Sequence, residues 1–169
     1  MGVDMIGNAT EAQFIHNWYH NKPLTPFDAP EGWRRLGSGS FRVGFLSPSG
    51  VVYKVQQDLS NSRYQTNEGE WKNYKRLYLT CKMPRHSRLP QMGFFPIEGT
   101  NVGVIAIEKL SNGPGWYGTV KLDDGSTYNW GDVVGNIQAA TRVGDLYGDN
   151  VLMDAENKLV VPSDLGDTW

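Results

Sequence analysis

The sequence predicts an α+β fold, and three stretches predict it. Residues 32–57 read as strand, glycine-rich loop, strand, tight turn and strand. Over residues 62–80 no proline interrupts a helical pattern. Near the end, apolar arms at 151–153 and 159–161 flank a polar turn at 154–158, as a short hairpin requires. At 169 residues the chain suits one domain, or two small lobes sharing one cleft.

In chain order, residues 1–8 read as a loose end. Asn8 or Thr10 can cap a short helix reaching about Trp18, with Glu11 in its first turn and Phe14, Ile15 and Trp18 as its apolar stripe. His16 and His20 are four apart and share a helix face. With no third ligand suggested nearby, they read as a surface or packed pair rather than a metal site. Pro23, Pro26 and Pro30 make residues 21–32 an extended connector. Trp33-Arg34-Arg35-Leu36 then leads into Gly37-Ser38-Gly39-Ser40-Phe41. After a second strand, the Ser47-Pro48-Ser49-Gly50 turn sends the chain back along residues 51–55. Glycines in such a loop let backbone N–H groups approach a phosphate with no Cβ in the way. Lys54 sits inside the third, apolar strand, where a charge is costly unless it is partnered.

Trp71, Tyr74 and Tyr78 recur at i, i+3 and i+7, with Leu77 alongside, and predict the buried stripe of the long helix. Glu70 precedes Tyr74 by four and lies beside that stripe, where an acid can reach a strand lysine; Glu68 is its competitor. Residues 81–90 read as a basic loop, and 88–95 and 102–107 as two further strands. A glycine-rich crossover at 111–118 precedes a hairpin turning on Asp123-Asp124-Gly125. Trp116, Tyr117 and Trp169 are expected to pack within the chain, with a dimer contact as the alternative. Trp130, Val133, Val134, Ile137 and Ala140 fit a helix over about 129–142, despite Gly131 and Gly135.

Composition narrows the function classes. A content of 39% hydrophobic and 12% aromatic residues supports a core. A net charge of -2 gives no whole-chain electrostatic case for nucleic acid. Lys72, Lys75, Arg76, Lys82, Arg85 and Arg88 crowd one segment, read as a solvated face and loop, with a site for an acidic partner as the alternative. Cys81 is the only cysteine, so no intramolecular disulfide can form, and no histidine pattern marks it as a nucleophile. Without a signal segment or a membrane-length apolar run, the expectation is a soluble, cytoplasmic protein.

The chemistry concentrates near the end. Asp145 is followed five residues later by Asn150, and the hairpin then delivers Asp164 directly before Leu165-Gly166. One carboxylate can accept a hydroxyl proton, while the amide and the other carboxylate can hold magnesium against ATP phosphates.

Taken in order, the glycine loop, Lys54, Glu70, Ile107-Glu108-Lys109-Leu110, Asp145, Asn150 and Asp164 resemble the protein-kinase-like superfamily over residues 32–166. Asp145 and Asn150 match the spacing of HRDxxxxN, and of HGDxxxxN in antibiotic and small-molecule kinases. Asp164-Leu165-Gly166 stands where kinases often have DFG. The resemblance implies a five-stranded antiparallel N-lobe sheet with one main helix, plus a strongly reduced C-lobe. Its divisions are an N-terminal helix and connector (1–31), an N-lobe and hinge (32–110) and the reduced C-lobe with catalytic and metal-binding loops (111–169).

It also implies ATP and Mg2+ as cofactors. Gly37, Ser38, Gly39, Ser40 and Phe41 would cover the phosphates, and Lys54, held by Glu70, would orient them. The backbone of Glu108 and Leu110 would meet adenine, with Ile107 in the gatekeeper place. Asn150 and Asp164 would ligate magnesium, and Asp145 would orient and help deprotonate the acceptor hydroxyl.

There are departures from the family pattern. Arg42 replaces the third glycine of the loop, where it either loosens closure over the phosphates or reaches ATP itself. Val143-Gly144 replaces the usual His-Arg, and Tyr147 stands where Lys or His is common. Only Asp167-Thr168-Trp169 follow Gly166, so no activation segment is expected. This compactness resembles small kinase-related proteins encoded by tailed bacteriophages. The expected function is a minimal ATP- and magnesium-dependent phosphotransferase whose acceptor is a host protein, a small molecule or the protein itself. The alternatives are a pseudokinase that binds a host protein, and a nucleotidyl transferase. No nucleic acid or membrane partner is expected, and a homodimer could supply the missing lower support.

Overall fold

The computed structural model describes residues 5–21, 28–38, 41–60, 66–144, 146 and 148–166. Among these residues the chain is α+β, with a five-stranded antiparallel sheet and three α-helices. It divides into two compact units, Met1–Trp71 with Gln91–Lys109, and Lys72–Pro90 with Leu110–Trp169. No helix among the described residues is long and apolar enough to cross a membrane.

The first unit holds α1 (Ala9–Asn21), β1 (Arg34–Ser38), β2 (Arg42–Leu46), β3 (Val51–Gln56), β4 (Met92–Pro96), β5 (Gly103–Glu108) and the first turn of α2 (Asn67–Thr80). The strand order is β1-β2-β3-β5-β4, with every neighbouring pair antiparallel. Side chains alternate between the two faces of a strand, and this parity assigns the work of each face. Val43, Phe45, Tyr53, Val55, Val104 and Ala106 form one buried cluster with Ala12, Ile15 and Tyr19 of α1. The residues between them face the other way. There the register sets Arg42 opposite Gln56 on one side, and Lys54 opposite Gly44 and Ile105.

Local chemistry sets the element ends. Asn8 caps α1, since its Oδ1 accepts the Glu11 N–H at 2.7 Å while its amide donates to Glu11 Oε1. The helix runs on past Trp18 to Asn21, because Tyr19 joins the core and His20 Nε2 lies 2.9 Å from the Gln56 carbonyl oxygen. β1 likewise continues through Gly37 and Ser38, which pair with Gly44 and Val43. Gly50, at φ 85°, provides the left-handed residue of the expected turn into β3. α2 starts at Asn67 because Thr66 Oγ1 accepts the Gly69 N–H at 3.1 Å. The expected earlier start, residues 62–65, lies outside the described residues.

The second unit contains the rest of α2, β6 (Ser111–Asn112), β7 (Thr119–Lys121), β8 (Thr127–Asn129), α3 (Trp130–Thr141), β9 (Val151–Asp154) and β10 (Leu159–Pro162). β10-β9-β6 form an antiparallel sheet and β7-β8 a separate hairpin. That hairpin turns where expected, with Gly125 at φ 80°. α3 buries Trp130, Val133, Val134 and Ile137, as the periodic pattern predicts, while Ala140 is exposed and Thr141 is buried in its place. It ends on Arg142 in the left-handed region, whose N–H closes onto the Gln138 carbonyl oxygen.

Further expectations need correction. Trp71, Tyr74 and Leu77 of α2 are buried as expected, but Tyr78 is 50% exposed and the buried line continues instead through Asn67 and Glu70. Residues 88–91 are not strand. Pro90 has no N–H to give to a ladder, and the Arg88 N–H donates to the Val160 carbonyl oxygen, leaving β4 to begin at Met92. The glycine-rich crossover contains β6, which pairs with β9. Trp116 and Tyr117 are not packed away: they are 47% and 96% exposed.

Candidate functional site

The expected site residues fall in both units, and each group is built from its own unit. In the first, Glu70 lies one turn into α2 with no solvent exposure. A bare carboxylate there would cost several kcal/mol. Both of its oxygens are instead met by cations. Lys54 Nζ donates to Oε1 at 3.0 Å, and Arg42 Nη1 donates to Oε2. The strand lysine therefore meets Glu70, the acid that sequence spacing favoured over Glu68.

Asn67 ties this pairing to the sheet. It is fully buried, and its Oδ1 lies 3.4 Å from Arg42 Nη1. Its amide donates to the backbone carbonyls of Lys54 at 2.9 Å and Gly103 at 2.8 Å, and its N–H donates to Gln56 Oε1 at 2.9 Å. A single helix residue thus satisfies polar groups of two neighbouring strands. Asn67 and the role of Arg42 escaped the sequence reading. The available signal was an amide three residues before Glu70, on the same helix face.

Of the remaining expected nucleotide contacts, Gly37 and Ser38 belong to β1, and Phe41 directly precedes β2, its carbonyl accepting the Gln57 N–H at 2.8 Å. Gly39 and Ser40 lie outside the described residues. Glu108 ends β5. Its N–H donates to the Gln91 carbonyl oxygen at 3.1 Å, and its carboxylate accepts the Gln91 N–H. The Glu108 N–H therefore already has a backbone partner, in the residue just before β4. Leu110 is half-buried and belongs to the second unit.

In that second unit, the β9–β10 hairpin gathers the expected metal ligands. Its register pairs Val151 with Pro162, and the next pair outward is closed by the Ser163 N–H donating to the Asn150 carbonyl oxygen at 2.8 Å. Asn150 and Asp164 consequently stand at the same open end of the hairpin, both half-buried. Asp164 Oδ1 accepts the Gly166 N–H at 3.1 Å, and Asn73 of α2 donates to the Leu165 carbonyl oxygen at 3.0 Å. Two oxygen donors of this kind suit a small hard cation that keeps several of its own waters, as Mg2+ does. Asp145 and Tyr147 lie outside the described residues. Leu146 between them is fully buried.

The opposite end of the hairpin is pinned at Asp154. Asn157 donates to it through both its N–H and its amide, and Arg88 reaches Oδ2 through Nε and Nη2 at 3.2 and 3.0 Å. These bonds, Asn157's first, hold the Asp154 carboxyl below its ordinary range. A further polar cluster lies on the basic loop and the β7–β8 turn, where His86 Nδ1 meets Asp123 and Tyr128 donates to Asp124. The Tyr128 bond lowers the Asp124 carboxyl first, followed by the Ser126 N–H. Burial pushes the Cys81 thiol up, away from the nucleophilic thiolate.

No protein-family model matches the chain, and no curated protein matches it either. Its own residues offer two chemical capacities. The first unit has a strand lysine on a buried helical carboxylate, able to meet an anion. The second sets an amide, Asn150, and a carboxylate, Asp164, at one end of a hairpin.

Proposed function

We propose that the chain is a minimal, protein-kinase-like phosphotransferase using ATP and magnesium. The observation that carries this reading is the 3.0 Å bond from Lys54 Nζ to the fully buried Glu70 carboxylate. A lysine inside a strand is costly, and so is a buried acid. Each makes the other tolerable, and the pair leaves an ammonium group oriented for phosphate. The antiparallel order of the five-stranded sheet, with Lys54 on β3 and Glu70 on α2, agrees with such an N-lobe.

In this reading Lys54 orients the α and β phosphates. Asn150 and Asp164 would hold the metal, which would supply charge neutralisation at the phosphates. Asp145 takes up the proton of the acceptor hydroxyl as that oxygen attacks. The acceptor is a protein side chain or a small molecule bearing a hydroxyl.

Calorimetry of Mg-ATP binding tests the reading, with Lys54→Met and Asp164→Asn compared against the parent chain. Binding weakened about tenfold or more in both variants is expected. Intact-mass analysis of the same samples should then reveal a phosphate-sized gain that disappears in Asp145→Asn. An AMP-sized gain would instead mark nucleotidyl transfer. Folded wild type that binds no ATP, with or without magnesium, would sink the enzyme reading.

A second reading, a kinase-derived binding module, is favoured by one feature. Trp116 and Tyr117 stand exposed beside Asn129, Gly131 and Asp132, around a cavity of about 300 Å³. An exposed aromatic pair of that kind suits a partner surface.

A further inference from the structure

Glu70 is held twice, and the two holds differ. Lys54 reaches Oε1 from β3 through one flexible amine, with 16% of its side chain exposed. Arg42 reaches Oε2 from β2, is itself buried, and also contacts Asn67 Oδ1 one helical turn earlier. Arg42 is therefore joined to α2 at two positions, and its planar guanidinium stays charged under any working condition. Asn67 is fastened in turn to the carbonyls of Lys54 and Gly103. The first turn of α2 is thus bound to β2, β3 and β5 by bonds that do not involve the lysine amine.

This bears on a conflict within any lysine–glutamate phosphate site. An amine that turns toward a phosphate gives up part of its hold on the carboxylate. A buried carboxylate cannot lose its cation without large cost. We propose that Arg42 is a positioning residue, the standing anchor of Glu70, which lets the Lys54 amine turn to an anionic ligand while the first turn of α2 stays on the sheet. The identity of that ligand as a nucleotide phosphate rests on the reading above; the anchoring role does not. The position taken by a glycine in the kinase pattern here carries the residue that holds the helix.

Chemical reactivity of the Lys54 amine gives the test. The full chain is treated briefly with acetic anhydride at about pH 8, and Lys54 labelling is measured by peptide mass spectrometry relative to the exposed Lys109. In Arg42→Gln the Glu70 charge falls more heavily on Lys54, so its labelling should drop about threefold or more. A merely structural role has the opposite sign, because a loosened first turn would expose the amine and raise labelling. Arg42→Lys restores the charge and should return labelling to within about twofold of wild type. Unchanged or increased labelling in Arg42→Gln overturns the proposal. If circular dichroism shows that Arg42→Gln does not fold, Arg42→Lys decides: near-wild-type labelling supports the anchor and a rise overturns it.

Calorimetry with ATP addresses the ligand separately, with about tenfold weaker binding expected in Arg42→Gln. Wild type that binds no ATP would overturn the nucleotide part together with the phosphotransferase reading, while the labelling result would still decide the anchor.

Discussion

The Lys54 amine lies 3.0 Å from an oxygen of Glu70, a carboxylate with no solvent exposure. Strand parity produces the meeting. Tyr53 and Val55 point into the core under α1, so Lys54 between them must point to the other face, where the first turn of α2 lies. The same parity brings Arg42 and Gln56 to that face as a cross-strand pair.

Removing the shared carboxylate should therefore be severe. Glu70→Ala leaves the charges of Lys54 and Arg42 facing a small cavity, and loss of a buried partner costs about 3–5 kcal/mol. Urea denaturation near neutral pH should read a loss of that size. A loss under about 1 kcal/mol would mean that the pairing contributes little more than a surface ion pair does.

The hairpin turn offers an independent check on the second unit. Asp154→Ala removes the acceptor for Asn157 and Arg88, so a stability loss of about 1–3 kcal/mol is expected. The native carboxyl is held below its ordinary 3.8, so its contribution is complete above that pH and fades only as pH falls through the lower folded value. Unfolding curves for both chains should stay separated from pH 8 down to about 4 and converge below it. Separation that already shrinks near pH 6 would contradict this pairing.

Much of this organisation was legible in the sequence because it rests on turns and period. The glycine loop and the Ser47–Gly50 turn bounded β2 and β3, and the 3.6-residue repeat placed α3 to within a residue of its ends. The α2 stripe was misdrawn for a physical reason. Two of its buried positions, Asn67 and Glu70, are polar, so a search for apolar residues slides the line toward Tyr78. Charged Arg42 escaped in the same way: its role depends on a partner 28 positions away. The β9–β10 hairpin itself was legible but its register was not. Equal arms around a turn at 154–158 set Asn150 opposite Pro162, whereas Asp154 joins β9 and pairs with Leu159, which brings Asn150 opposite Ser163. The fixing of the turn by Arg88 spans 66 positions.

The histidines of α1 give a further dependence on pH. The His16 ring lies 4.5 Å from that of His20, and its Nδ1 is buried with no hydrogen-bond partner. Burial first, then the neighbouring His20, lowers His16 from 6.5 to about 4; burial also lowers His20, against the Gln56 carbonyl bond. The unfolded chain thus takes up a proton near pH 6.5 that folded His16 refuses until about 4. Between those values the unfolded state binds more protons, so stability falls as the solution is acidified through that window. The His16 contribution to that fall is on the order of 3 kcal/mol. His16→Leu removes both the titration and the unpartnered nitrogen while keeping an apolar side chain under the sheet. It should match wild type to within about 1 kcal/mol at pH 8 and exceed it clearly at pH 5. Urea unfolding across this range measures the difference, and parallel curves for the two chains would show that His16 is not the group that responds to acid.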